Sequence, residues 1–444
     1  MNRSACLIIL ALLLMVRSGI AENVTLDEVL RKTVDKNPEI QAAKLKLEAA
    51  YGRRLVFRSV ALPDALIGVV GGDQGGHRAG QKPNQPFGFA YGGFTQPLFN
   101  AAIPASLRRG DIEVLIAQQQ LNMAVVDHLH GARTAFYTAI YNRSLKQMGE
   151  EQRRRLQEIS SSQESRYQAG LADRGVFIGA QLQSRELDPG IGVAERGYAG
   201  AKLRIAELMG DDMGSTALIR EPQGELTYKT LDLDPDRATA AALQGRADLK
   251  LARLLVRAAN EDQRIIEAAY YPSIYAQVSG DYIPVSGVRR QSEGSPRRQD
   301  DVISSEIRAG AAYTWRVVDN GLVRGAAIKQ RSAREINELL LHQMEADIPR
   351  ELARIRNNVE AIETKRAALI QATAAAEQNA ESVRKNLEEG VMSQYEFHLA
   401  ENGLTKIQTA LLGLAYQQNL ALAEWDRVTG RYFQFSDGAS QNVQ

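Results

Sequence analysis

Five histidines, His77, His128, His130, His342 and His398, are the first candidates for chemistry in this 444-residue chain. Two metal ligands on one helix face need a spacing of three or four residues. His128 and His130 are two apart, and no HExxH motif occurs. GGDQGGHRAG (71–80) is glycine-rich but lacks the Lys-Ser/Thr ending of a phosphate-binding loop, and it lies between strand-like segments. Gly-x-Ser-x-Gly, the nucleophile elbow of α/β-hydrolases, is missing. The single cysteine, Cys6, falls in the N-terminal apolar segment, which removes thiolate and disulfide chemistry from the rest of the chain. These residues supply no catalytic constellation, metal site or cofactor cradle, so an enzyme is not expected. What remains is a phrase said twice: YQAGLADRGVF at Tyr167–Phe177 and LEEGVMSQYEF at Leu387–Phe397, each built around a glycine.

The N-terminus reads MNRSACLIILALLLMVRSGIA, with Arg3, an apolar core from Cys6 to Val16 and small residues ending at Ala21. This is the layout of a secretory signal peptide over 1–21, cleaved between Ala21 and Glu22. A core of eleven residues is too short for a membrane anchor, which needs about 20. Beyond it the chain carries 52 basic against 53 acidic side chains, a balance that gives no sign of a nucleic-acid partner. No later segment has eighteen consecutive apolar residues. A soluble exported protein and an outer-membrane β-barrel both remain open, because barrel strands carry a weak sequence signal.

The chain is a tandem repeat. NPEIQAAKLKLEAAYGRRLVFRSVALP (37–63) matches RADLKLARLLVRAANEDQRIIEAAYYP (246–272) at an offset of 209 residues, with Ala43, Leu45, Ala49, Ala50 and Pro63 identical in their partners. TQPLFNA (95–101) aligns with TWRVVDN (314–320) at 219, and the two glycine phrases align at 220, pairing Gly170 with Gly390. The helix-ending ELMG and RVTG align at 220 as well, through Gly210 and Gly430. The offset jumps by ten only once, between the first two matches, and polar, glycine-rich stretches there read as loops that absorb length changes cheaply. The organisation is therefore a leader (1–21), a first repeat (22–236), a second repeat (237–430) and a tail (431–444).

Each repeat orders a helix (about Leu26–Val60 and Ala238–Ala269), a strand pair, a long helix, the glycine phrase and a returning helix. In the first long helix Val114, Ala117, Leu121, Val125, Leu129, Ala132, Phe136 and Ile140 recur every three or four residues, a period near 3.7 that suits nearly straight helix packing. Continuous from Ala105 to Gln168, it would be about 96 Å long at ~1.5 Å per residue. The strands alternate. Ile274, Ala276, Val278 and Tyr282 point one way, Tyr275, Gln277, Ser279 and Asp281 the other; Ile303, Ile307, Ala309, Ala311, Tyr313 and Trp315 oppose Ser304, Glu306, Arg308, Thr314 and Arg316. Phe87, Phe89 and Tyr91 are expected on an aromatic-rich outer face. Alternation alone fits an ordinary half-buried sheet or a membrane barrel. Four strands cannot close a barrel, and lipid tolerates no open edge, so membrane-spanning strands would require several chains.

In TLDEVLRKTVDKNPEIQAAKLKLEAA, QPLFN, RADLKLARLLVRAANEDQRIIEAAYYPSI and the paired glycine phrases, the chain resembles TolC-like outer-membrane efflux and secretion channels over essentially its whole length beyond the leader. The resemblance implies a mixed α and β membrane protein. It would be a homotrimer whose long periplasmic α-helical barrel continues into a shared 12-stranded outer-membrane β-barrel, four strands per protomer. It implies no cofactor, a location in the outer membrane of a Gram-negative bacterium with a large periplasmic portion, and contact with outer-membrane lipid. Its partners would be a periplasmic adaptor protein and an inner-membrane pump of RND or ABC type. Substrate would pass unchanged, in efflux or type I secretion. The glycine phrases would be hairpin turns at the periplasmic tip, with Ala169, Gly170, Leu171, Glu389, Gly390 and Val391 facing the adaptor. Glu396 falls where such channels often place an acidic ring, in which three carboxylates would raise one another's pKa and select cations. A solvated helix-face residue is the other reading of Glu396.

The chain also departs from the pattern. Leu399 occupies a second acidic position, and Gly175 and Val176 stand where polar latches are expected. Pro349 should kink the second long helix or mark an irregular belt, and Asp188-Pro189-Gly190 should break the first returning helix. A soluble periplasmic coiled-coil scaffold or adaptor is the alternative; it accounts for the helices and export but not for duplicated aromatic strand pairs.

Overall fold

The computed structural model describes residues 23–75, 84–211, 220–230, 233–283 and 304–435. The leader, Cys6, His77, most of both strand-connecting loops, Ile303 and the tail from 436 lie outside them. The first repeat runs β1 (Asn23–Val24), α1 (Leu26–Lys36), α2 (Pro38–Ser59), β2 (Asp64–Gly75), β3 (Asn84–Phe99), α3 (Ile103–Gln168), α4 (Arg174–Arg185) and α5 (Asp188–Leu208). After β4 (Glu221–Pro222), the second runs α6 (Pro235–Gly245), α7 (Ala247–Glu267), β5 (Ser273–Ile283), β6 (Ser304–Thr314), α8 (Leu322–Glu388) and α9 (Gln394–Val428). No helix among the described residues is long and apolar enough to cross a membrane.

The single helix expected over about Leu26–Val60 is two helices. Asn37 ends the first and caps the second: its Oδ1 accepts the amides of Glu39 (2.9 Å) and Ile40 (3.1 Å), while its Nδ2 donates to the Leu208 carbonyl (3.0 Å). Pro38, with no amide hydrogen to lose, fits the first helical position. The second repeat breaks at the equivalent place. Asp234 caps α6, accepting from the Asp236 and Arg237 amides, and Arg246 separates α6 from α7 with its guanidinium held by Asp248 (2.7 Å) and Glu351 (2.9 Å). The expected Ala238–Ala269 helix is corrected likewise, its last turn being a 3-10 turn over Ala268–Tyr270.

The stripe read from the sequence of α3 is buried throughout, from Val114 at 8% exposed to Val125 at 0%. The break expected at Asp188–Gly190 falls at Glu186–Leu187, with Pro189 in the first turn of α5. A bare Cα at Gly149 seats Ile191, whose side chain would lie 2.8 Å from any Cβ there, so α5 packs tightly on α3. Pro349 does not interrupt α8, which stays helical for 67 residues. A mid-helix proline costs about 3 kcal/mol. Ile348 and Leu352 beside it are fully buried, and each such side chain stabilises by about 1.5–3 kcal/mol, which offsets the loss.

The chain divides into two compact units. One comprises residues up to 45, 118–250 and from 343 onward; the other comprises 46–117 and 251–342. In the first, Phe136 and Ile140 of α3 pack with Val29, Ile205, Leu208 and Ala423. β1 pairs in parallel with β4. The segment that continues from β4 is strapped down by side chains. Gln418, almost fully buried, accepts from the Lys229 amide (2.9 Å) and donates to its carbonyl (2.6 Å), and Asn419 donates to the Thr227 carbonyl (3.0 Å).

In the second unit, Ile112 and Ile116 of α3 pack against Leu254 and Ala258 of α7. Beside this small core lies one antiparallel sheet in the order β2-β3-β5-β6, open at β2 and β6. Its register assigns the faces. Ile274 lies opposite Tyr313, Ala276 opposite Ala311, Val278 opposite Ala309 and Phe94, and Gly280 opposite Ile307. Opposite residues share a face, and this one is apolar from β2, with Ile67 and Val69, to β6. It is also bare: Ile67 is 91% exposed and Ile307 81%. Tyr313 and Tyr282 sit at its two ends, eight residues apart along β5, or about 27 Å at ~3.4 Å per residue. The other face carries Gln277, Ser279, Asp281, Glu306 and Arg308.

On β3 the parity differs from that expected. Tyr91 lies opposite Asp281, and Phe89 shares its side of β3, so these aromatics stand on the polar face and not the apolar one. The side chain of Phe87 lies outside those described. In FGFAYGGF the aromatic spacing of two revealed a strand but could not say which face its odd positions take.

Candidate functional site

The two glycine phrases, both in the first unit, fold into the same turn. Gly170 and Gly390 have φ of +70° and +74°. After α3 the Leu171 amide donates to the Arg166 carbonyl (2.8 Å) and the Gly170 amide to Tyr167 (2.9 Å). After α8 the Val391 amide donates to Asn386 (2.8 Å) and the Gly390 amide to Leu387 (3.0 Å). Each is a Schellman motif, which satisfies the last carbonyls of a helix only if one residue enters the left-handed region, where glycine is unstrained. Gly210 and Gly430 close α5 and α9 with the same two bonds and φ of +66° and +72°.

Such turns usually bury the residue after the glycine against a side chain one turn back in the helix. Here those helix positions are Arg166 and Asn386, so Leu171 and Val391 find no apolar partner and stand 72% and 73% exposed. Ala169 and Glu389 are exposed beside them. The six residues form two turns between helices, and the apolar side chains of Leu171 and Val391 are left exposed by the fold of one chain.

The returning helices start differently. Asp173 caps α4 by accepting the Gly175 amide (2.9 Å). Ser393 caps α9 in a full capping box: the Glu396 amide donates to Ser393 Oγ (3.3 Å), while Glu396 Oε2 accepts from the Ser393 amide (2.8 Å) and hydroxyl (2.9 Å). The Ser393 backbone N–H, aided by the hydroxyl, holds the fully exposed Glu396 carboxyl below the usual carboxylate range. Glu396 thus has a local structural role that neither sequence reading gave it, although Ser-x-x-Glu before a helix is legible as a capping box.

Gly175 and Val176 make no side-chain latch. Other side chains tie the two hairpins together. Between α3 and α9, Gln152 donates to Asn402 Oδ1 (2.7 Å), Gln163 to Gln394 Oε1 (3.4 Å) and Arg155 to Glu401 Oε1 (3.4 Å). His398 Nδ1 faces the other oxygen of Glu401 at 3.5 Å, and burial pushes its imidazole below the ordinary histidine value. Nothing in sequence spacing marks the three ties between α3 and α9, which join residues more than 200 positions apart. Among the described residues no group of three or more His, Asp or Glu could hold a metal. A cavity of about 110 Å³ lined by Asp127, Arg246, Asp248 and Arg427 has its arginines committed, both reaching Glu351.

The chain matches no protein-family model and no curated relative. Among solved structures it is similar to the CmeC outer-membrane channel of Campylobacter jejuni, at 13% identity over 94% of this chain and 88% of that one, with a TM-score of 0.78. The outer-membrane protein VceC of Vibrio cholerae superposes at 16% identity over 91% and 96%, with a TM-score of 0.74. The outer-membrane channel OprN does so at 17% over 91% and 89%, also at 0.74. At these identities the likeness speaks of architecture. The chain has the fold of TolC-like outer-membrane channels.

Proposed function

We propose that this chain is the outer-membrane channel of a tripartite efflux or type I secretion system. It conducts substrate passively to the outside from a periplasmic adaptor and an inner-membrane pump of RND or ABC type. The observation that carries the proposal is the open sheet, with one bare apolar face bounded by Tyr282 and Tyr313. Strands of 11 to 16 residues reach across a hydrocarbon layer, and aromatics at both ends of an outward apolar band match the two interfaces. A four-stranded antiparallel sheet starts and ends on oppositely directed strands, so β6 of one copy can pair antiparallel with β2 of the next. Three copies close twelve strands and leave no edge in lipid.

The exposed Leu171 and Val391, on turns that do not need them, support adaptor contact at the hairpin tips through Ala169, Gly170, Leu171, Glu389, Gly390 and Val391. Glu396 lies beside these turns. As an aperture ring its three carboxylates would repel one another against the pull of Ser393, and an entering cation would relieve that repulsion. The deciding experiment is membrane fractionation, followed by purification in detergent and recording in planar bilayers. A trimer extracted from the outer membrane that conducts ions is expected. Release as a monomer with the soluble periplasm would refute the channel and favour a scaffold.

A further inference from the structure

We propose that the polar face of the sheet carries a binding site for lipophilic organic cations, formed by Phe89, Tyr91 and Asp281. The inference rests on the channel reading, in which this face lines the pore. The apolar face already has its aromatic ends in Tyr282 and Tyr313, so the Phe89–Tyr91 pair does no work at a lipid boundary. Nor is it core, since Tyr91 remains 38% exposed.

The pair is nonetheless built in. The Tyr91 ring lies over Gly68 of the neighbouring strand, so close that a Cβ at Gly68 would collide with ring carbons. Glycine in a strand interior costs stability, and its presence at Gly68 is explained by the ring it seats. The Phe89 and Tyr91 rings lie 5.9 Å apart and tilted at 43°, an aromatic platform that Val70 and Leu66 of β2 continue on the same face and that Asp281 and Ser279 of β5 border. Asp281 stands directly across from Tyr91 and is exposed.

Among the described residues of this face, the nearby cation Arg308 is spoken for. Arg308 donates twice to Glu306, through Nε at 2.8 Å and Nη2 at 2.5 Å, and Glu306 lies directly opposite Asp281. Asp281, Glu306 and Arg308 together carry one excess negative charge per chain. Aromatic faces attract cations, and a carboxylate beside them adds the Coulomb attraction that a neutral or anionic ligand lacks. Both features together select a cation with apolar surface over a simple metal ion or an anion.

The test uses the wild-type trimer in planar bilayers in KCl, with tetraphenylphosphonium as probe and tetraphenylborate as the anion of the same shape. Tetraphenylphosphonium is expected to block current at a concentration at which tetraphenylborate does not. Asp281→Asn and Tyr91→Leu should each raise the half-blocking concentration about three- to ten-fold, while Tyr91→Phe, which keeps the ring, retains the wild-type value. Repeating the titration in Glu396→Gln separates this site from the hairpin turns: block here survives that change. A conducting trimer whose block is absent, or is unaltered in both Asp281→Asn and Tyr91→Leu, overturns the site and leaves the channel standing. A wild-type protein that conducts nothing overturns the channel reading, and the site with it.

Discussion

Four glycines make the same backbone bond pattern, but an added methyl group would meet different surroundings at each, which makes their alanine variants a matched test of the turns. Gly390→Ala and Gly170→Ala place a Cβ in open space, so the whole cost is that of holding an L-residue in the left-handed region, about 1–2 kcal/mol. Gly210→Ala carries the same backbone cost, and its Cβ would also lie 2.5 Å from the Lys36 carbonyl oxygen. That neighbour is backbone and cannot swing away, so overpacking adds about 1–3 kcal/mol, for a total near 2–5 kcal/mol. Gly430→Ala should fall between, since its Cβ would meet the Gly245 carbonyl carbon at 3.0 Å and the Arg246 amide at 3.2 Å. Urea denaturation followed by far-ultraviolet circular dichroism reads the ranking, with Gly390→Asn as a milder variant because asparagine tolerates this region. Equal losses at Gly390 and Gly210 would refute the reasoning, as would an alanine at Gly390 that costs nothing.

Ser393→Ala removes the cap of α9 and should cost about 1 kcal/mol in the same denaturation. Glu396→Gln should preserve that cap, since glutamine serves at this position of the box, so a change in cation dependence of single-channel conductance would report the charge alone; unchanged conductance and preference would argue against the acidic ring. Gln418→Ala leaves the Lys229 amide and carbonyl without their partner, costing about 0.5–1.5 kcal/mol for each hydrogen bond lost because Lys229 is exposed to water, and should open residues 220–230 to limited proteolysis ahead of the rest of the chain. Burial holds His130 and His398 below the ordinary histidine value of about 6.5. The unfolded chain then takes up those protons more readily, so stability is full above about pH 6.5 and falls as the pH drops toward the lower folded values. Thermal melting between pH 7.5 and 5.5 should show this loss, and His130→Gln with His398→Gln should flatten it.

What the sequence revealed well was periodic or repeated. The α3 stripe lay in one chemical language, apolar at every third or fourth position, and burial followed it residue by residue. The glycine turns were legible because the same left-handed requirement appears twice at one offset. The breaks at Asn37 and Arg246 were missed since the apolar period runs on across both; the local signal was there in Asn37-Pro38, a cap followed by a residue suited to a first turn. Pro349 sits inside a helix that runs on past it, because one lost backbone bond is small beside the packing of Ile348 and Leu352. The face of Phe89 and Tyr91 was beyond reach: parity depends on register with β5, nearly 190 residues away, and one step of slip reverses every side chain. At the candidate site the turns could be read and the polar ties between α3 and α9 could not, for they depend on which helices become neighbours.

The two unpaired borders of the sheet bear on how the proposed channel comes into being. One chain has two free borders, at β2 and at β6. Two chains joined through one seam still have two. Only the third arrival removes both at once, so a pair of chains is no closer to tolerating lipid than a single one. Assembly should therefore be all-or-none, with monomer and finished ring populated and the dimer fleeting. In this scheme each chain would carry, until the ring shuts, a strand border that any other extended peptide could capture.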